Sequence, residues 1–321
     1  MILTYQNPLP IKNIGDPFVF LASDGTYYCY ATSAPDGFKA WVSTDLVNWR
    51  DAGYVYQRQP DSWGESDFWA PEVVFHNGKY FMHYSARWGE NQSLRIGVAV
   101  SQSPLGPFVD VVNHPMFDFG YAAIDGHVFF DDDGRIFFYY SRDCSENIVG
   151  GCHESHLYVV ELADNLLLFL SNPICIAQPE QDWEIRSGDE WRWNEGPFVL
   201  KHAGKYYLMY SANFYASRDY SVGYAVSENP TGPFTKSAHN PVLVSPSPDI
   251  SGPGHNSVTI APDGKTLVIA YHIHTDPQNP SGDRQVCIDK MGFRDDGSLF
   301  VDGPTNTCQE ISSSTIATQS E

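Results

Sequence analysis

The stretch AGKYYLMYSA, residues 203–212, decides the fold. A Gly in a turn is followed by an unbroken aromatic and apolar run, which reads as a hairpin entering a strand. The same unit stands at four other places: DGTYYCYATS (24–33), NGKYFMHYSA (77–86), DGRIFFYYSR (133–142) and DGKTLVIAYH (263–272). The turn glycines are Gly25, Gly78, Gly134, Gly204 and Gly264, so successive copies lie 53, 56, 70 and 60 residues apart. A period of that size marks a repeat architecture, and it governs how every other motif is read.

Each copy continues alike. A third strand follows, as in RIGVAVSQSPLGPF and VGYAVSENPTGPF, where Pro/Gly turns lead into a short fourth strand. Period-two alternation with closely spaced turns is antiparallel β throughout, and no amphipathic helix of useful length is expected. Four strands per unit predict an all-β chain: a five-bladed β-propeller of antiparallel four-stranded blades, in one catalytic domain spanning residues 1–321. A sandwich or a two-domain β protein is the competing arrangement, but it leaves the five-fold register unexplained. The Ser/Thr-rich tail SSSTIATQSE (312–321) is expected to fray.

Composition narrows the partners. There are 39 acidic and 19 basic residues, a net charge of −20, and no Lys/Arg cluster. That excludes a phosphate-backbone footprint and an anionic membrane surface, and leaves a neutral substrate as the best fit. No apolar run reaches transmembrane length, and MILTYQNPLP lacks the basic and long apolar regions of a signal peptide. The six cysteines (29, 144, 152, 175, 287 and 308) form no CxxC and no zinc pattern; only Cys144 and Cys152 share a loop that could pair them. This usage points to a reducing cytoplasm, with secretion the alternative if a signal peptide has been removed. Aromatics at 14% suit both β-sheets and carbohydrate sites.

Ahead of each turn lies the first strand of the unit, which in a propeller surrounds the central channel. These strands begin IGDPFVF (14–20), WAPEVVF (69–75), AIDGHVFF (123–130), NEGPFVL (194–200) and PGHNSVTI (253–260). Nine residues before the turn Gly stand Asp16, Asp125, Glu195 and His255, and the shorter second hairpin puts Glu72 near the same level. Three acids and a His are thus expected to converge at one end of the channel, each beside Pro or Gly that fixes the backbone. Asp in GDP or DG is alone only a turn former; three acids in one register are hard to explain by turns. Clustered carboxyls cannot all ionise freely, so their pKa values must split, giving one proton donor and one acceptor.

At these residues the sequence resembles glycoside hydrolase family 43, over roughly residues 7 to 302. The resemblance rests on GDPFVF, WAPEV, AIDGHVFFDDDGRIFFYYS, NEGPFVLKHAGKYYLMYS, GPGHNSV and the late Arg in GDRQV. It implies a five-bladed propeller and hydrolysis with inversion, with Asp16 as general base, Glu195 as general acid, and Asp125 orienting Glu195 and tuning its pKa. It also implies a calcium ion near His255 and a substrate-hydroxyl contact from Arg284. Inversion places the two carboxyls roughly 6.5–9.5 Å apart, with a water between base and sugar. His255 reads equally as part of a water-mediated ion shell or as a core His bonded to backbone. Arg284 could clamp sugar hydroxyls, neutralise the acid ring, or both. Trp69 and Phe38 are candidates for a sugar-stacking wall, with buried packing the alternative.

Within that resemblance, the form NEGPFVLKHAGKYYLMYSANFYASRDYSVGYAVS is most similar to arabinofuranosidase and arabinofuranosidase/xylosidase members. An exo-acting α-L-arabinofuranosidase on plant cell-wall oligosaccharides is expected, with β-xylosidase or endo-arabinanase as alternatives. Retaining five-bladed relatives that act on fructosides or other sugars carry an NDPNG-like nucleophile and an RDP with an EC pair, and here only RDCSE (142–146) stands. A non-catalytic sugar-binding propeller is the remoter reading.

Overall fold

The computed structural model describes residues 2–312 except Ser187 and Asp189. Among these residues lie five antiparallel four-stranded sheets, each built from strands consecutive in the chain apart from one insertion. Their first strands are Gly15–Leu21, Gly64–His76, Ala123–Phe130, Asn194–His202 and Gly254–Ile260. Two smaller sheets complete the fold. Ile2–Tyr5 pairs with Gln309–Ser312 and joins the two ends of the described chain, while Ile148–Val149, Cys152–Glu154 and Trp191–Arg192 form a three-stranded sheet inserted around the third unit. The only helical element among the described residues is a 3-10 turn, Cys144–Glu146. Only the first residue of the tail SSSTIATQSE is described; the rest of it lies outside the described residues.

Each first strand neighbours the first strand of the next sheet, and the fifth neighbours the first. The buried cores follow the same circuit. Val19, Cys29 and Trp41 of the first sheet pack against Val268, Ala270 and Val286 of the fifth. Tyr30, Phe38 and Tyr56 pack against Val73, Met82 and Tyr84 of the second. Three further large cores join sheets two to three, three to four and four to five, and a small one of Leu94, Ala122 and Ile124 lies between sheets two and three. Each fully buried aromatic in these seams contributes on the order of 1.5–3 kcal/mol.

All five first strands carry a bulge at the same level, where two residues are passed over in the pairing register. The first bulged residue is left-handed in every case: Asp16 (φ 55°), Ala70 (44°), Asp125 (58°), Gly196 (59°) and His255 (47°). Its N–H is lost to the ladder and turns to the preceding sheet. Asp16 donates to His272 Nδ1 (3.1 Å), Ala70 to Thr32 Oγ1 (2.8 Å), Asp125 to Ser85 Oγ (2.9 Å), and His255 to Ser211 Oγ (2.7 Å). Gly196 donates instead to the Asp125 carboxylate (3.0 Å), and the hydroxyl of Ser141, which holds the equivalent second-strand position, is buried without a partner.

This register corrects the expectation that Asp16, Asp125, Glu195 and His255 are equivalent. The second and fourth hairpins close with two-residue turns, Asn77-Gly78 and Ala203-Gly204, whereas the other three have longer loops. The tighter turn brings the bulge one residue nearer to the Gly. Glu195 therefore stands one place before its bulge, in the position of Gly15, Trp69, Ile124 and Gly254. Ala70, not Glu72, is the second sheet's residue at the level of Asp16.

Candidate active site

The bulged ends of the first strands open on a cavity of about 1160 Å³ lined by Asp16, Asp125, Glu195, His255 and Arg284. The position before each bulge shapes its inner wall. Trp69, Ile124 and Glu195 project side chains there. At Gly15 a Cβ would meet the Arg284 guanidinium at 2.0 Å, and at Gly254 it would meet the Tyr220 ring at 2.2 Å. The two glycines leave room that Arg284 and Tyr220 fill. Sequence distant by hundreds of residues is thereby brought to one chamber.

Asp16 is held as a carboxylate. Arg284 Nη1 donates to its Oδ1 (2.8 Å), Thr32 donates to its Oδ2 (2.6 Å), and His255 Nδ1 stands 3.3 Å from Oδ1. Burial alone would push this carboxyl up, but the Arg284 guanidinium, with His255 and Thr32, holds it well below the usual carboxylate range. His272, whose Nδ1 accepts the Asp16 N–H, stays neutral because burial and the nearby Arg284 push its pKa far down.

Glu195 is driven the other way. Burial and then the neighbouring charge of Asp125 raise its pKa well above the usual value, against a hydrogen bond from Tyr220 Oη to Oε1 (2.9 Å). Asp125 is pushed up to about 6 by burial and by the charge of Asp16, with His255 and the Gly196 N–H opposing. One cavity thus holds a carboxyl that is ionised across the ordinary pH range beside one that keeps its proton.

The other expected site residues divide. Trp69 and Arg284 line the cavity, and Arg284 also lies over the Tyr215 ring (5.1 Å). Phe38 does not: it is fully buried, packed against Tyr56, Phe68 and Tyr84. Glu72 does not line it either; two residues beyond Ala70, it points away and accepts from His127 Nδ1 (2.7 Å). Cys144 and Cys152 are both free thiols. The surroundings of His255 do not fit a directly ligated calcium ion, which takes six to eight oxygens. His255 offers a ring nitrogen, the nearest carboxylate already holds the Arg284 cation, and no group of three or more His, Cys, Asp or Glu among the described residues is arranged to hold a metal.

Sequence reading missed Tyr220, Thr32 and Asp143. Tyr220 stacks on His272 (5.6 Å, 7°) and reaches Glu195 from the strand after the NEGP hairpin. Its signal was present, since RDYSVGYAVS places an aromatic at the mouth of that third strand. Asp143 lines the same cavity from the RDCSE turn.

A circuit of β-sheets that presents two carboxyls of opposite protonation in one open cavity is equipped to cleave an acid-labile bond between neutral groups. Residues 5–299 match the family Glycosyl hydrolases family 43, and the chain belongs to it; it is a glycoside hydrolase. A solved structure described as a thermostable family-43 glycoside hydrolase is 51% identical, with a TM-score of 0.90 over 94% of this chain and 97% of that one. The β-D-galactofuranosidase of Aspergillus niger is 29% identical over 292 residues, covering 85% of this chain and 78% of the relative. An extracellular exo-α-(1→5)-L-arabinofuranosidase of Streptomyces avermitilis is 27% identical, covering 92% of this chain but only 63% of the relative.

Proposed function

We propose that the protein is an inverting, exo-acting glycosidase of arabinofuranosyl or xylosyl linkages, foremost an α-L-arabinofuranosidase, on a single five-bladed propeller. Five four-stranded sheets, seams that return from the fifth sheet to the first, and five equivalent bulges support the propeller. Relatives named for arabinofuranosidase, xylosidase and arabinanase activity support the substrate class.

In this reading Glu195 is the general acid and protonates the leaving oxygen. Asp16 is the general base and takes a proton from a water attacking the anomeric carbon from the opposite face. Asp125 orients Glu195 through the Gly196 amide, and its charge holds the Glu195 proton. Arg284 keeps Asp16 ionised through Nη1, is held by its Nε donating to the Gly282 carbonyl (3.2 Å), and lines the cavity. The observation that carries the proposal is the opposed ionisation of Asp16 and Glu195 in one cavity.

The test is hydrolysis of nitrophenyl arabinofuranoside, xyloside and galactofuranoside, with the first-formed anomer read by NMR. An inverted product, and loss of turnover by at least about 10²-fold in both Glu195→Ala and Asp16→Ala, is expected. A retained anomer, or full activity in either variant, overturns the roles. Sugar binding without turnover of any glycoside would favour the non-catalytic propeller instead.

A further inference from the structure

The run Trp191-Arg192-Trp193-Asn194-Glu195 is extended and ends on the carboxyl that lines the cavity. Its side chains alternate. Arg192 turns away to Glu154 Oε1 (2.8 Å) and Asn194 turns away to Glu184 Oε1 (3.2 Å). Trp191, Trp193 and Glu195 face the cavity, all three lining it. The two indoles stand 6.4 Å apart at 20°, close to the rise of two extended residues, about 6.6–6.8 Å.

Both rings line the cavity and are braced, Trp191 exposed and Trp193 half-buried. Trp191 is 41% exposed and stacks on His153 at 3.9 Å and 6°, which is itself held by the Cys144 carbonyl (2.9 Å). Trp193 rests on Phe214 (5.4 Å), which is 43% exposed, and Phe214 on Tyr215 (4.9 Å). A contiguous row of exposed and half-buried aromatic rings, fixed in place and lining the same cavity, is not explained by core packing. The charged rim around it, Arg186 and Glu190, supplies hydroxyl partners, and a net charge of −20 disfavours acidic sugars.

We infer that Trp193 and Trp191 form successive leaving-group subsites, stacking the neutral sugar rings that lie beyond the scissile bond. The assignment of the leaving side rests on Glu195 as the proton donor: a ring attached to the oxygen it protonates lies nearest Trp193, and the next nearest Trp191. The substrate class is then a chain of at least three neutral sugar units, from which the unit beside Asp16 and Arg284 is released.

The experiment has a kinetic and a binding arm, both with linear arabino-oligosaccharides and xylo-oligosaccharides of two to five units. In the native enzyme kcat/KM rises from the two-unit to the three-unit chain by about tenfold, the worth of one stacked ring. Trp191→Ala loses that length dependence and Trp191→Phe keeps most of it, while Phe75→Ala, an exposed ring remote from the cavity, does not change the ratio. Titration calorimetry on Glu195→Gln reads the same subsites without turnover: affinity tightens with length, and Trp191→Ala on that background abolishes the gain. Length-independent affinity overturns the platform even if short glycosides are hydrolysed. Length-dependent affinity with no hydrolysis of any glycoside keeps the platform and overturns the catalytic reading.

Discussion

The carboxylate of Asp125 accepts the backbone N–H of Gly196, 3.0 Å away, at the bulge where the neighbouring sheet's hydroxyl, that of Ser141, is left without a partner. The acid before that bulge, Glu195, is therefore mounted on another carboxylate. The contact couples position to charge, and the two can be separated. Asn at position 125 still offers an oxygen to the Gly196 amide but carries no charge. Removing the charge removes one of the causes that raise the Glu195 pKa. Asp125→Asn is expected to move the alkaline limb of the kcat/KM profile to lower pH and to lower kcat about 10- to 100-fold, with Asp125→Ala losing more. An unmoved alkaline limb in Asp125→Asn would remove the tuning role.

The same residue has a stability cost. Its carboxyl titrates near 6 in the folded protein, against about 3.9 when unfolded. A raised acid pKa means that the folded state binds more protons, so stability falls as pH rises from about 4 through 6 and is level above that. Asp125→Asn should thus melt higher than the native protein at pH 7, by on the order of 1–3 kcal/mol, with the gain vanishing near pH 4. Calorimetric melting at both pH values decides it; a variant destabilised at pH 7 contradicts the argument.

Tyr220 acts on Glu195 from the opposite direction. Its hydroxyl donates to Oε1, which places the transferable proton on Oε2 and lowers the Glu195 pKa against burial and Asp125. Tyr220→Phe keeps the ring against His272 and Gly254 but removes the donor. The alkaline limb should shift to higher pH, opposite to Asp125→Asn, and kcat should fall about tenfold. A shift in the same direction as Asp125→Asn would show that the hydrogen bond does not act on the proton.

The five hairpins, the order of strands and the convergence of Asp16, Asp125, Glu195 and His255 were legible in sequence because turn glycines and alternation are local signals, whereas Arg284 was reached only through the family resemblance. Register was not. Counting from the turn Gly treats all hairpins as equal, and the two-residue turns at Asn77-Gly78 and Ala203-Gly204 shift it by one. That is why Glu72 was misplaced and why Glu195 sits before its bulge rather than in it. Phe38 looked like a sugar wall because an aromatic at a strand start has no sequence mark that separates seam from cavity; the seam with Phe68 and Tyr84 is set by a neighbouring sheet. The Trp191 and Trp193 row depends on a sheet pairing Cys152–Glu154 with Trp191–Arg192 in parallel, a contact across nearly forty residues of insertion that no repeat predicts.

Arg284 should govern the acid limb. It is the largest of the groups that lower the Asp16 pKa against burial, and Gly15 leaves the space in which it does so. Read in the Asp125→Asn background, which removes the carboxyl that titrates near 6, Arg284→Met deprives the buried Asp16 of its main counter-charge, so its pKa rises and the acid limb of kcat/KM moves to higher pH. Gly15→Ala should act likewise by displacing the guanidinium. An acid limb left in place by Arg284→Met would mean that Asp16 does not set it. The linkage has a stability counterpart with the opposite sign to that of Asp125. A depressed Asp16 pKa stabilises the fold above the unfolded value of about 3.9, and that contribution fades as pH falls toward the folded value.

Behind Glu195, the residue that precedes it is fixed by a buried ion pair. Lys236 Nζ donates to both oxygens of Glu184 (2.7 Å each) and to Asn194 Oδ1 (2.7 Å), and Asn194 Nδ2 returns to Glu184 Oε1. The Lys side chain is 3% exposed and the Glu side chain is fully buried. Burial lowers the Lys236 pKa while Glu184 opposes it, so the charge of Lys236 leans on that carboxylate. Lys236→Met leaves the Glu184 charge unpaired and should cost about 3–5 kcal/mol in urea unfolding at pH 7. Adding Glu184→Gln should recover part of that loss, because the orphaned charge is gone. Since Asn194 loses a partner in both, kcat should stay low in the double variant even as stability returns. If Lys236→Met costs less than about 1 kcal/mol, or if stability and kcat recover together, the pair does not anchor the strand that carries Glu195.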